Sequence, residues 1–158
     1  MDYLWSPWRY QYITNIHKND RCVFCINHST TRDPEQLILF RGQYHFIILN
    51  LFPYTCGHLL VAPYQHLSDL SKFSNDQSLE MMELTQRVVS ALEQIYRPDG
   101  FNLGMNLGKC AGAGVDQHIH FHVVPRWCGD ANFMTIAGET RVLPESLETT
   151  YQKLKPFF

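Results

Sequence analysis

Apolar and polar positions alternate in short runs along most of the chain, and a helical period takes over at length only once. Gln36 to Phe40 and Tyr44 to Leu49 are short apolar runs joined by Arg41-Gly42-Gln43, which predicts a β-hairpin. Pro53-Tyr54-Thr55-Cys56-Gly57 reads as a turn, and Gly57 to Pro63 as the next strand. Asp76 to Tyr96 carries Leu79, Met82, Leu84, Val88, Val89, Leu92 and Ile95 at roughly helical spacing, with Pro98 just beyond. That pattern predicts one long amphipathic helix. Phe101 to Leu107 returns to strand character. After the glycine-rich stretch Gly108 to Gly114, His118 to Val124 reads as a last strand, stopped by Pro125. Leu143 to Leu154, opened by Pro144, predicts a short C-terminal helix. Hairpin-connected strands with one long and one short helix make an α+β domain with a central antiparallel sheet.

The last strand carries the chemistry. Side chains alternate faces along a strand, so His118, His120, His122 and Val124 share one face, while Ile119, Phe121 and Val123 face the core. Neighbouring histidines on the shared face sit about 6–7 Å apart. Three imidazoles at that spacing can address different parts of one polyanionic ligand. Two plainer readings stand beside this one: half-buried polar residues that need compensation for their burial, and a metal-binding histidine cluster.

Composition narrows the classes. The 158 residues show no break, internal repeat or low-complexity tract, and read as a single domain: a 1–20 arm of mixed aromatic and polar residues, a 21–126 core and a 127–158 C-terminal segment. A net charge of −2, with 13 basic against 15 acidic side chains and no basic stripe, argues against nucleic acid as a partner. A small phosphorylated ligand, needing only a few donors, fits that charge. No run approaches ~18 apolar residues and the N-terminus lacks a signal-peptide pattern, so neither a membrane span nor export is expected. Five cysteines without a disulfide framework are expected to be reduced, in a cytoplasm.

His118-Ile119-His120-Phe121-His122-Val123-Val124-Pro125-Arg126 resembles the signature of the histidine triad family. The resemblance extends to Asn50-Leu51-Phe52-Pro53-Tyr54-Thr55-Cys56-Gly57-His58 and to Asn102-Leu103-Gly104-Met105-Asn106-Leu107-Gly108. The flanks Leu4-Trp5-Ser6-Pro7-Trp8-Arg9 and Trp127-Cys128-Gly129-Asp130-Ala131-Asn132-Phe133-Met134 are similar to the bacterial branch related to diadenosine tetraphosphate phosphorylases.

The resemblance implies that His120 attacks the α-phosphorus of an adenine nucleotide, such as a dinucleoside polyphosphate, giving a nucleotidyl-histidine resolved by water or phosphate. His122 would lie near the leaving oxygen, Asn106 near the phosphates and Asn50 at the ribose, with turn capping as the plainer role for Asn50. The Gly112-Ala113-Gly114 loop could turn its N–H groups toward an anion or be an ordinary turn. Gly114-Val115 replaces the family's usual Gln-Ser or Gln-Thr, which leaves the leaving-group preference open. Histidine at the third triad position points to water as acceptor, whereas the flanks point to phosphate. A homodimer is implied as well.

Cys22-Val23-Phe24-Cys25 supplies only half of a tetrahedral zinc set. By resemblance to zinc-bearing relatives, His66 and His118 complete it as a closed, structural Cys₂His₂ site. His17, His28, His45 and His58 read as surface or structural residues, and Cys56, Cys110 and Cys128 show no partner. Two other functions remain: an adenosine phosphoramidase-like enzyme or nucleotide-binding signalling protein, and a metallohydrolase holding a catalytic zinc among the three triad histidines.

Overall fold

The computed structural model describes residues 22–26, 32–130 and 143–158. The N-terminal arm, with His17, and also His28 and the flank beyond Asp130, lie outside the described residues. Elements follow in the order α1 (Asp33–Gln36), β1 (Ile38–Arg41), β2 (His45–Leu49), β3 (Leu59–Pro63), α2 (Asn75–Tyr96), β4 (Gly100–Met105), β5 (Phe121–Arg126) and α3 (Leu147–Leu154). The five strands form one antiparallel sheet in the order β1-β2-β3-β5-β4, so the fold is the expected α+β type. No helix of the described residues is long and apolar enough to cross a membrane.

Period-two patterning splits the sheet into two faces. Leu39, Ile47, Leu49, Leu59, Val61 and Val123 turn toward α2 and α3, packing on Met81, Leu84, Val88, Leu92, Tyr151 and Leu154. Ile38, Phe46, Leu60 and Ala62 turn the other way and pack with Phe24. Leu60 stands opposite His122 across β3 and β5, so the second face is the one that carries the histidines.

Several boundaries differ from the sequence reading, each for a local reason. The histidine strand begins at Phe121 rather than His118 and runs through Pro125 to Arg126. Pro125 is tolerated because β3 pairing ends at Leu59–Val123, leaving only β4 alongside. Gln36 belongs to α1, and Leu37, at φ 60°, redirects the chain into β1. Ser74 caps α2 with a full capping box closed by Gln77. The buried stripe of α2 is Met81, Leu84, Thr85, Val88, Ala91 and Leu92, whereas Leu79 and Met82 are 60% and 50% exposed. α3 starts at Leu147 behind the Ser146 cap, leaving Pro144 outside it.

Gly57 is needed where it stands. Its φ of 75° would strain any side chain, and a Cβ there would crowd Leu92 Cδ2 at 3.0 Å. The turn it closes delivers His58 to the start of β3.

Candidate functional site: a histidine relay beside a thiol–imidazole cluster

The segment His118–His120 approaches β5 as an irregular stretch pinned by long-range bonds. Ile119 N–H donates to Leu67 O at 2.7 Å, and His118 Nε2 lies 2.8 Å from Pro63 O. His118, His120 and His122 are all buried, at 1%, 7% and 8% exposure. The next imidazole, His120, has Nδ1 2.9 Å from the His118 carbonyl. His122 and His58 face each other, His58 Nε2 to His122 Nδ1 at 2.9 Å. His58, a surface or structural residue on the sequence pattern, is in the fold the fourth histidine of the cluster. The one signal for it was parity: residue 58 falls on the face of Leu60 and Ala62.

Main-chain partners settle which nitrogen of each ring holds the proton, because a carbonyl only accepts and an amide N–H only donates. His118 Nε2 and His120 Nδ1 must donate to the carbonyls of Pro63 and His118. Tyr54 N–H donates to His58 Nδ1 at 3.1 Å, and the Asn50 amide approaches the same atom at 3.3 Å. His58 therefore carries its proton on Nε2 and gives it to His122 Nδ1, which places the His122 proton on Nε2. Two atoms are left without a partner among the described residues: the lone pair of His120 Nε2, and the buried Nε2–H of His122. One is an available electron pair and the other is an available donor.

Burial keeps these rings neutral. Desolvation, aided by the neighbouring imidazoles, depresses His58 to about 3 and His122 to about 4, and burial also lowers His120 below the ordinary imidazole value. The Tyr54 ring covers the pair from outside, stacked at 12° and 5.9 Å on His122 and tilted against His58 at 4.6 Å.

Cys22, Cys25, His66 and His118 come together, with all four potential ligand atoms within 4.8 Å of one another. His118 Nδ1 is 3.4 Å from Cys22 Sγ and 3.9 Å from Cys25 Sγ, and His66 Nδ1 is 3.3 Å from Cys25 Sγ. A zinc tetrahedron with ordinary Zn–S and Zn–N bonds has S···N edges of about 3.6 Å. Donation of His118 Nε2–H to Pro63 O leaves Nδ1 deprotonated toward the sulfurs, as a ligand must be. The donor set thus fits zinc. The arrangement also corrects the metallohydrolase alternative: His118 turns to the thiols while His120 donates to a carbonyl and His122 faces His58, so the triad does not converge on one ion.

The remaining candidates lie around this centre. Asn50 Oδ1 accepts from Phe52 N–H at 3.0 Å, a turn cap, while its amide reaches His58. Asn106 follows directly on β4, half-buried, its side chain without a hydrogen bond among the described residues. In the glycine loop, Gly112 N–H donates to Lys109 O at 2.9 Å and Ala113 N–H to Gly108 O at 3.4 Å, so these two amides are engaged within the turn. Gly114 is exposed at its end, and Val115 leans on the Phe24 cluster.

This geometry and sequence place the chain in a known class. Residues 31–128 match the family model of the HIT domain, and the chain belongs to the histidine triad family. It is 39% identical to the AP-4-A phosphorylase of Mycobacterium tuberculosis, over 96% of this chain and 81% of that protein. The bis(5'-adenosyl)-triphosphatase of Dictyostelium discoideum is 30% identical over 56% of this chain and 59% of its own length. Among solved structures, a Zn-bound histidine triad family protein from Mycobacterium smegmatis superposes with a TM-score of 0.65 at 30% identity, covering 86% of this chain and 91% of that one.

Proposed function

We propose that the protein cleaves dinucleoside polyphosphates of the diadenosine tetraphosphate type, with His120 as covalent nucleophile and inorganic phosphate as acceptor. The carrying observation is the pair of uncommitted atoms, the His120 Nε2 lone pair and the His122 Nε2–H donor, on neutral rings whose centroids lie 4.9 Å apart. His120 Nε2 attacks the α-phosphorus and the bond to the bridging oxygen breaks, releasing ATP and leaving AMP on the histidine. His122 Nε2–H donates toward that oxygen as its charge develops. A phosphate oxygen then attacks the same phosphorus, giving ADP and freeing His120. The 39% identity to a phosphorylase over nearly the whole chain favours phosphate over water as the acceptor.

Asn106, just beyond the strand beside β5, and Asn50, beside His58, serve the phosphate chain and the ribose in this reading, with Gly112 and Gly114 shaping the anion side. Zinc is the ion for Cys22, Cys25, His66 and His118, where it ties the N-terminal segment to the catalytic stretch; with four protein ligands it has no open position for substrate. Five free cysteines suit a reducing cytoplasm. Pairing as a homodimer goes with the exposed Leu79 and Met82 of α2 and Leu103 on the outer strand β4.

The test is cleavage of diadenosine tetraphosphate with and without phosphate, products separated by ion exchange. ADP plus ATP formed only with phosphate, and lost in His120→Ala with nucleotide binding retained, is the expected result. AMP plus ATP indifferent to phosphate would make water the acceptor, and no cleavage at all would overturn the reading.

A further inference from the structure

Between the two cysteines of the metal cluster stands a side chain that touches the nucleophile. Phe24 is 7% exposed, and its ring lies 4.8 Å from that of His120 at 32°, and 5.5 Å from that of His118. Its other side packs into the cluster of Ile38, Phe46, Leu60 and Ala62, so the ring is wedged between the sheet and the catalytic stretch. The loop that carries it is short: Cys25 N–H donates to Cys22 O at 3.1 Å, and Ile26 N–H to Phe24 O at 2.9 Å. With one residue to Cys25 and two to Cys22, Phe24 cannot shift far while both sulfurs stay beside His118.

His120 has one fixed atom, Nδ1, held by the His118 carbonyl. A single hydrogen bond leaves the ring free to swing about it, and swinging would carry the Nε2 lone pair off line. The Phe24 ring supplies a second, planar constraint. Because attack on phosphorus needs an aligned lone pair, a small error in that plane is costly to rate and cheap to binding.

We propose that Phe24 is a positioning residue through which the cysteine loop, when it holds its metal, sets the ring plane of His120. Order in the thiol–imidazole cluster then reaches the nucleophile by two routes: the His118 carbonyl, which holds Nδ1, and Phe24, which holds the plane. The catalytic consequence rests on the proposed role of His120, but the mechanical link does not.

The test uses full-length protein with one zinc per chain, as wild type and as Phe24→Leu, which keeps an apolar side chain in the cluster but removes the flat ring. Metal content and far-ultraviolet circular dichroism should be unchanged. With ¹⁵N-labelled histidine, the His120 ring signals should be displaced or broadened in Phe24→Leu while those of His58 and His122 stay. Chelation should shift the His120 signals of wild type, and in the variant by less than half as much. On a cleavable nucleotide kcat should fall by roughly tenfold or more with KM little changed. Identical His120 signals in both zinc-loaded proteins, or an equal response to chelation, would overturn the proposal. Lack of turnover in wild type would count against the catalytic reading alone, since the resonance arm needs no substrate.

Discussion

The Nε2 atom of His58 lies 2.9 Å from Nδ1 of His122, a bond between two buried imidazoles. The bond joins the turn before β3 to the start of β5, and its direction is set at the other nitrogen of the His58 ring, where Tyr54 N–H donates to Nδ1. His58 thus fixes which nitrogen of His122 carries the proton. Replacing it with alanine leaves His122 Nδ1 buried without a donor and lets the proton move to the wrong nitrogen. By comparison with the partners that orient metal-bound and catalytic histidines elsewhere, His58→Ala should lower kcat about 10- to 100-fold. KM should change little, which steady-state kinetics on the dinucleotide would check; a pure KM effect would place His58 in binding instead.

The same pair makes stability depend on pH. Both imidazoles titrate below the ordinary 6.5 in the folded chain, His122 near 4 and His58 near 3, so in this window the unfolded chain binds more protons. Their unfavourable effect is absent above about 6.5 and grows as pH falls toward 4, at about 1.4 kcal/mol for each pKa unit per group. Urea midpoints should therefore drop steadily from pH 6.5 to 4. His122→Asn, which removes one titrating ring, should show a shallower drop, and parallel curves for the two proteins would refute the assignment.

How much of this was readable from the chain divides by range. The histidine stretch, the inward face of Ile119 and Val123 and the long helix rest on local periodicity, and the structure carries them. The cysteine–histidine set came from resemblance, and its four members do meet. What was missed depends on contacts between distant segments. His58 gains its place from the register Leu60–His122, which joins residues 62 positions apart and leaves no periodic trace. Alternation alone continues back to His118 and so predicts the strand from there. The chain instead spends His118 and Ile119 on bonds to Pro63 and Leu67. Hydrophobicity alone predicts Leu79 and Met82 on the apolar stripe of the helix, whereas the buried stripe includes Thr85 and Ala91.

Metal should be held by all four ligands together. His66 contributes from an exposed position, its Nδ1 3.3 Å from Cys25 Sγ and its ring edge-on to His118, so His66→Ala tests the site without opening the core. The purified protein should hold one zinc per chain by elemental analysis, and the variant should be substoichiometric after dialysis against a weak chelator. Because a closed site contributes to folding, the variant should also melt at lower temperature. Unchanged metal content would mean that the ion, if held, sits elsewhere.

A second histidine carries stability and not chemistry. Glu80, on α2, accepts from the main-chain N–H groups of Gln43, Tyr44 and His45 at 2.6, 2.8 and 2.9 Å, and from His45 Nδ1 at 2.8 Å. One carboxylate thus closes the β1–β2 hairpin onto the long helix, and those bonds, with His45, hold it below the usual carboxylate range against the opposing effect of its burial. His45 faces the helix side of the sheet and is fully buried, on the opposite face from His122. Glu80→Ala strands three N–H donors and the imidazole at once. With charged hydrogen bonds contributing about 1.5–3 kcal/mol each and partial relief by water at the exposed Gln43, a loss of about 3 kcal/mol is expected. Urea unfolding should register that loss, while kcat measured well below the new midpoint stays at the wild-type value, because no link of the His58–His122 or His118–His120 chain passes through Glu80.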